Sequence, residues 1–236
     1  ASLLDLKAKT SLFLLAGLMC GSLAFIALDA TYSHTADVYM LALMLNIAAA
    51  WLCLRGRRRV PSVLAAVVLL VISTGLYQAY LQVFTALTMV WALLRLLKTD
   101  DRAIPEAAAR CAQSFLALML AMALFFVGYY VVMAVTGVEA VSKANSIGGM
   151  KVLSGAALVD MVKTTWKMPL RQLGRLQGRI APLARMLTAV VLMTGAAATI
   201  FTARRSRVSA WQALGMAVLV LLLPFGMNWI CLFCSG

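Results

Sequence analysis

A chain of 236 residues that is 64% hydrophobic and only 12% charged cannot cover the surface of a water-soluble fold. Its apolar runs are long enough to cross a bilayer, and they lack the alternation that marks outer-membrane barrels, so the class is an all-α polytopic membrane protein. The net charge of +13 sits mostly on lysines and arginines of the connections, which argues against a nucleic-acid partner.

The pattern predicts about seven spans in one transmembrane domain covering residues 1–236. They fall near 11–28, 38–54, 60–76, 79–97, 114–135, 185–202 and 209–230. The opening ASLLDLKAKT shows no initiator methionine and no signal-peptide cleavage pattern, and LFCSG closes directly on an apolar run. The expectation is therefore a part of a longer membrane protein. After the first span comes DATYSHTAD, with Asp29 and Asp37 flanking Tyr32 and the single histidine, His34. A carboxylate at a membrane–water boundary can act as a general base toward an attacking hydroxyl. Asp37 also directly precedes a span, where a capping role would account for it, and His34 reads equally as a plain loop residue.

The second span ends in RGRRR, Arg55–Arg59. The uncharged run that follows, Val60 to Leu94, would be about 52 Å long as one helix, against a bilayer core of about 30 Å. It is expected to fold back within STGLYQAYLQVF, with Ser73, Thr74 and Gly75 letting the chain leave the helix. Tyr77 and Tyr80 suit a membrane interface, having an apolar ring and a wet hydroxyl. Gln78 and Gln82 are harder to explain as anchors. Rings together with side-chain amides are also how proteins hold sugars, the ring faces stacking on C–H surface and the amides bonding hydroxyls.

The connection holding Lys98 and Arg102, and later ARRSR at Ala203–Arg207, repeat the cationic character of Arg55–Arg59. All three belong on one side, which the positive-inside rule makes cytoplasmic. The outer side then carries 29–37, the YQAY turn and a long segment at 136–184, whose own basic character runs against that rule. Between Pro169 and Pro182, Arg171, Arg175 and Arg179 recur every four residues, while Leu173, Leu176 and Ile180 take another face. This predicts an interfacial amphipathic helix near 169–182. Its arginines either meet lipid phosphates or hold the phosphate of a lipid-linked substrate. The pair Cys231 and Cys234 has C-x-x-C spacing without a second pair or a histidine to complete a zinc site. No metal site or cofactor is indicated.

The segment LVISTGLYQAYLQVFTAL resembles the Tyr-Gln segment of the bacterial and phage O-antigen glucosyltransferases, the type II Gtr family. DATYSHTADVYMLALMLNIAAAWL is similar to the family's upstream segment, in which a Tyr and an Asp precede a span rich in Met and Leu. The resemblance carries over Tyr32 and Asp37 from the first segment, and Tyr77 and Gln78 from the second. Where the family places a basic residue and an aromatic ahead of the Asp, this chain reads YSHTAD, with His34 the nearest cation. The family's main catalytic carboxylate is usually in the first outer loop, near the start of the whole protein.

The resemblance implies a multi-pass enzyme of the bacterial inner membrane, with the architecture of GT-C-like glycosyltransferases. It would move a glucosyl-type sugar from a polyprenyl-phosphate donor to a polysaccharide acceptor, within membrane lipid. The expected catalytic residues are Asp37 and Asp29. Tyr32, His34, Tyr77, Gln78, Tyr80, Arg171, Arg175 and Arg179 are the expected substrate contacts. The alternatives are a transporter or flippase component for a lipid-linked substrate, and a membrane subunit without chemistry. Transport would favour charges within the spans and internal repeats, which the sequence lacks.

Overall fold

The computed structural model describes residues 36–56, 59–98, 100, 102–137 and 208–226, with positions 159, 162, 163 and 186. Regular structure among the described residues is helical, without a strand. In chain order it comprises α1 (Ala36–Arg55), α2 (Arg59–Tyr77), a 3-10 turn (Gln78–Tyr80), α3 (Leu81–Leu96), α4 (Ala103–Thr136) and α5 (Ala210–Gly226). Three stretches are long and apolar enough to cross a membrane: Asp37–Arg55, Val60–Leu96 and Ala103–Thr136. Ala210–Leu223 is a shorter apolar helix. The described residues thus carry three candidate spans rather than seven. The spans expected at 11–28 and 185–202, and the amphipathic helix at 169–182, lie outside them.

The chain divides into two compact units, Ala1–Trp91 with Ala109–Gly137, and Ala92–Ala108 with Val138–Gly236. In the first, α1 and α2 form an antiparallel pair. Asp37 in its first turn and Arg55 in its last complement the dipole of α1. Ala42, Asn46, Ala49, Ala50 and Cys53 form a fully buried stripe at helical spacing. Such small side chains let two helix backbones approach closely, which in a bilayer replaces the missing hydrophobic drive with van der Waals contact. The donors of the contact are paired, while Asn46 Oδ1 has no partner among the described residues. Asn46 Nδ2 donates to Ala42 O at 2.9 Å and to Ser73 Oγ, and Ser73 Oγ donates to Ala42 O at 3.0 Å.

Gly56 closes α1, its N–H donating to Leu52 O at 3.0 Å. A Cβ at Gly56 would overlap Ser62 of α2 and Leu52 O, so the tight link between the helices requires glycine here. Pro61 stands in the first turn of α2, where its missing N–H costs nothing. From α4, Arg110 reaches the same end. Its Nη1 donates to Cys53 O at 2.9 Å and its Nη2 to Gly56 O at 3.4 Å, while Gln113 Nε2 donates to Cys53 O at 3.4 Å. A cation thereby meets carbonyls at the negative end of α1.

The expected break in the long apolar run exists at the YQAY turn, between the spans expected at 60–76 and 79–97, but Ser73, Thr74 and Gly75 are not where the chain leaves the helix. Ser73, Thr74 and Gly75 remain helical. Ser73 and Thr74 are buried, and Thr74 Oγ1 donates back to Leu70 O at 2.7 Å, a bond that keeps a hydroxyl satisfied inside a helix. The helix ends at Tyr77, whose φ of −160° and ψ of 98° are extended. The 3-10 turn follows, and Leu81 N–H bonds Gln78 O as α3 begins. The expected return along α2 is absent among the described residues, because α3 does not pack along α2. Instead α3 buries its own stripe of Leu81, Phe84, Thr88 and Trp91.

In the second unit, Arg95 clamps the connection after α3, donating to Asp100 Oδ2 at 2.6 Å and to Glu106 Oε2 at 2.7 Å. The N-terminus of α5 is a reciprocal capping box. Gln212 N–H donates to Ser209 Oγ at 3.2 Å, and Ser209 N–H donates to Gln212 Oε1 at 2.8 Å. The other end of that buried amide, Nε2, donates to Lys98 O at 3.1 Å. Gly215 lies so close to Leu96 that a Cβ would come within 3.2 Å of Leu96 Cδ1.

Candidate functional site

The α1–α2 register has a chemical consequence at the end opposite Arg55 and Arg59. With Ala42 and Asn46 held on Ser73, Tyr39 is brought beside Tyr77, their ring centroids 4.5 Å apart and their planes inclined by 54°. The 3-10 turn then places Tyr80 edge-on to Tyr77, at 5.0 Å and 73°. None of the three rings stacks flat on another; the contacts are tilted and edge-to-face, each engaging one ring's edge with the other's face. All three are half-buried.

Gln78 lies between Tyr77 and Tyr80 at the point where the backbone is irregular. Its side chain is half-buried and has no hydrogen-bond partner among the described residues. An amide left unpaired in apolar surroundings costs free energy unless water or a ligand meets it. The cluster therefore combines ring faces, an open amide and a break in the helix. Of the expected site residues, it gathers Tyr77, Gln78 and Tyr80.

Tyr39 is an addition that sequence reasoning missed. Its only sequence signal is that it lies three residues before Ala42 and seven before Asn46, on the stripe that faces α2. Asp37 is in the first turn of α1 and exposed, inside the helix rather than capping it. Two residues from Tyr39, it points about 200° around the helix from that ring. The structure does not bring it into the cluster. Asp29, Tyr32, His34, Arg171, Arg175 and Arg179 lie outside the described residues.

In the second unit, charged groups hold the connection after α3. The Arg95 guanidinium, hydrogen-bonded to Asp100, holds that carboxyl below its ordinary range, and the N–H of Arg102 adds to the effect. No group of three or more His, Cys, Asp or Glu that could hold a metal occurs among the described residues.

A family model described as Glucosyl transferase GtrII matches residues 1–236. No curated protein and no solved structure matches the chain.

Proposed function

The chain belongs to the GtrII glucosyl transferase family, and from that premise we propose that it transfers a glucosyl-type sugar from a polyprenyl phosphate to a hydroxyl of an O-antigen polysaccharide. The reaction would run at the outer face of the bacterial inner membrane. The observation that supports this reading best is the ring cluster of Tyr39, Tyr77 and Tyr80 around the open amide of Gln78. Aromatic faces pack on the C–H surface of a pyranose, while an amide donates to one hydroxyl and accepts from another.

In the proposed step a carboxylate, Asp29 or Asp37, takes the proton of the acceptor hydroxyl. The freed oxygen bonds to the anomeric carbon, and the bond from that carbon to the phosphate oxygen breaks, its electron pair leaving with the polyprenyl phosphate. Arg171, Arg175 and Arg179 would stabilise the departing phosphate, and Tyr32 and His34 would contact the substrate from the loop between Asp29 and Asp37. A base aligned with its proton contributes about 10²–10⁴-fold. The test is sugar transfer in membranes carrying the complete protein, comparing Asp29→Asn and Asp37→Asn with the parent. At least one should lose transfer by that order while expression holds. Full activity in both removes these carboxylates from the mechanism.

A further inference from the structure

We propose that Tyr39, Tyr77, Tyr80 and Gln78 form a hexose-binding notch sunk beneath the membrane surface, on the side opposite Arg55 and Arg59, with Tyr39 as its third ring. This deepens the sugar-transfer reading and rests on it for the identity of the ligand.

The depth follows from helix lengths. A Cβ added at Gly75, one half-turn before Tyr77, would lie 3.8 Å from Phe125 Cε2, so the end of α2 is level with Phe125 of α4. The opposite ends of these two helices also correspond, since Arg110 of α4 bonds the carbonyls of Cys53 and Gly56 at the α1–α2 link. From Phe125, α4 continues unbroken to Thr136, a rise of about 16 Å. Even with α4 tilted 40° that leaves about 13 Å along the membrane normal. This projecting part is apolar and open, with Val127, Val131, Val132 and Val135 exposed, Val135 by 81%. Exposed valines at successive turns belong in hydrocarbon, so the bilayer extends past the level of Tyr77.

The length of α2 agrees. Val60 to Tyr77 rises about 25 Å, short of a bilayer core of about 30 Å. Irregular backbone at membrane depth is tolerated where it is buried in protein or lines a polar cavity. Tyr77 is extended there, and the Gln78 amide has no partner among the described residues. A polar notch at that depth suits a sugar brought in on a lipid, because a free sugar would have to leave water to reach it. The tilted and edge-on contacts hold the three rings together beside Gln78, as a hexose contact requires.

The experiment uses nitroxide labels on single cysteines at Ala79 and at Val135, in the complete protein with its native cysteines replaced and reconstituted in vesicles. Collision with oxygen and with a water-soluble nickel chelate gives depth without any activity. The label at Ala79 should lie about 10 Å or more deeper than that at Val135. Equal depth overturns the notch. Vesicles doped with glucosyl polyprenyl phosphate should slow the Ala79 label, and free glucose in the buffer should not. Slowing by free glucose alone means a notch open to water, and overturns the proposal. For Tyr39, the Leu variant should lose transfer about tenfold with unchanged thermal stability, while Tyr39→Phe stays within about threefold. Full transfer by Tyr39→Leu removes the third ring. A parent protein without any sugar transfer would sink the proposed function, while the depth result would stand.

Discussion

Replacing Gln78 with Leu separates a sugar contact from a membrane turn, because the two readings differ in sign. The amide has no partner among the described residues, so no hydrogen bond described in the fold is lost with it. Leucine at this half-buried position gains apolar burial, about 0.5–1 kcal/mol. The protein should therefore melt at the same temperature or slightly higher. If the amide meets a sugar, two neutral hydrogen bonds of about 0.5–1.5 kcal/mol each are removed. That sum corresponds to about a ten- to hundredfold fall in transfer rate. The assay is paired, with thermal unfolding in detergent and glucosyl transfer in membranes measured on one preparation of the complete protein. Undiminished transfer would refute the sugar contact. A drop in melting temperature of several degrees would refute the premise that the amide is unpaired.

Three further outcomes are expected. Arg110→Met keeps the apolar stem but strips the carbonyls of Cys53 and Gly56 of a charged donor, and should cost about 1.5–3 kcal/mol in thermal unfolding. Gly56→Ala should destabilise by about 1–3 kcal/mol through overlap with Ser62 and Leu52 O, whereas Gly75→Ala, which meets only Phe125 at ordinary contact distance, should be neutral or stabilising by up to about 1 kcal/mol. Asp100 has its folded-state pKa lowered, chiefly by Arg95, so its contribution is complete above the ordinary value of 3.8 and fades as pH falls through the depressed one. Asp100→Asn should therefore match the parent's melting temperature most closely at the acid end of a pH series and diverge from it as pH rises past the ordinary value.

The membrane class and the helical runs were legible because hydrocarbon demands long apolar segments with internally bonded backbone. Periodicity also located a break in the run from Val60 to Leu94, since a single straight helix would overshoot the bilayer. It placed that break at the YQAY turn, where the 3-10 turn stands, but credited the exit to Ser73, Thr74 and Gly75, which read locally as helix breakers. Two of the three are instead spent on packing and hydrogen bonds across the α1–α2 contact and within α2. A tertiary partner decides whether a serine turns a chain or pins a helix, and that partner, Asn46, is 27 residues away. The length of α4 was underestimated for a related reason. Glu106 and Arg110 look like loop charges in sequence, yet they extend the helix because Arg95 and the carbonyls ending α1 pair with them. Tyr77, Gln78 and Tyr80 were visible as a polar insert in apolar sequence, whereas Tyr39 could be found only once the register of two helices was known.

That register links the middle of the membrane to the candidate site. Asn46 and Ser73 are buried polar residues bonded across a contact made mostly of alanine and aliphatic side chains. Interhelical hydrogen bonds of this kind contribute only about 0.6–2 kcal/mol, too little to hold α1 and α2 together against their packing. They act on alignment instead. A slip of α1 by one residue turns each side chain by about 100°. Asn46 would keep its bond to Ala42 O within α1 but leave Ser73, whose hydroxyl would lose both its partners on α1, and Tyr39 would swing away from Tyr77. Apolar stripes alone tolerate such a slip, since one alanine packs much like the next. The Asn46–Ser73 bond forms in only one alignment, and that alignment sets the 4.5 Å approach of Tyr39 to Tyr77.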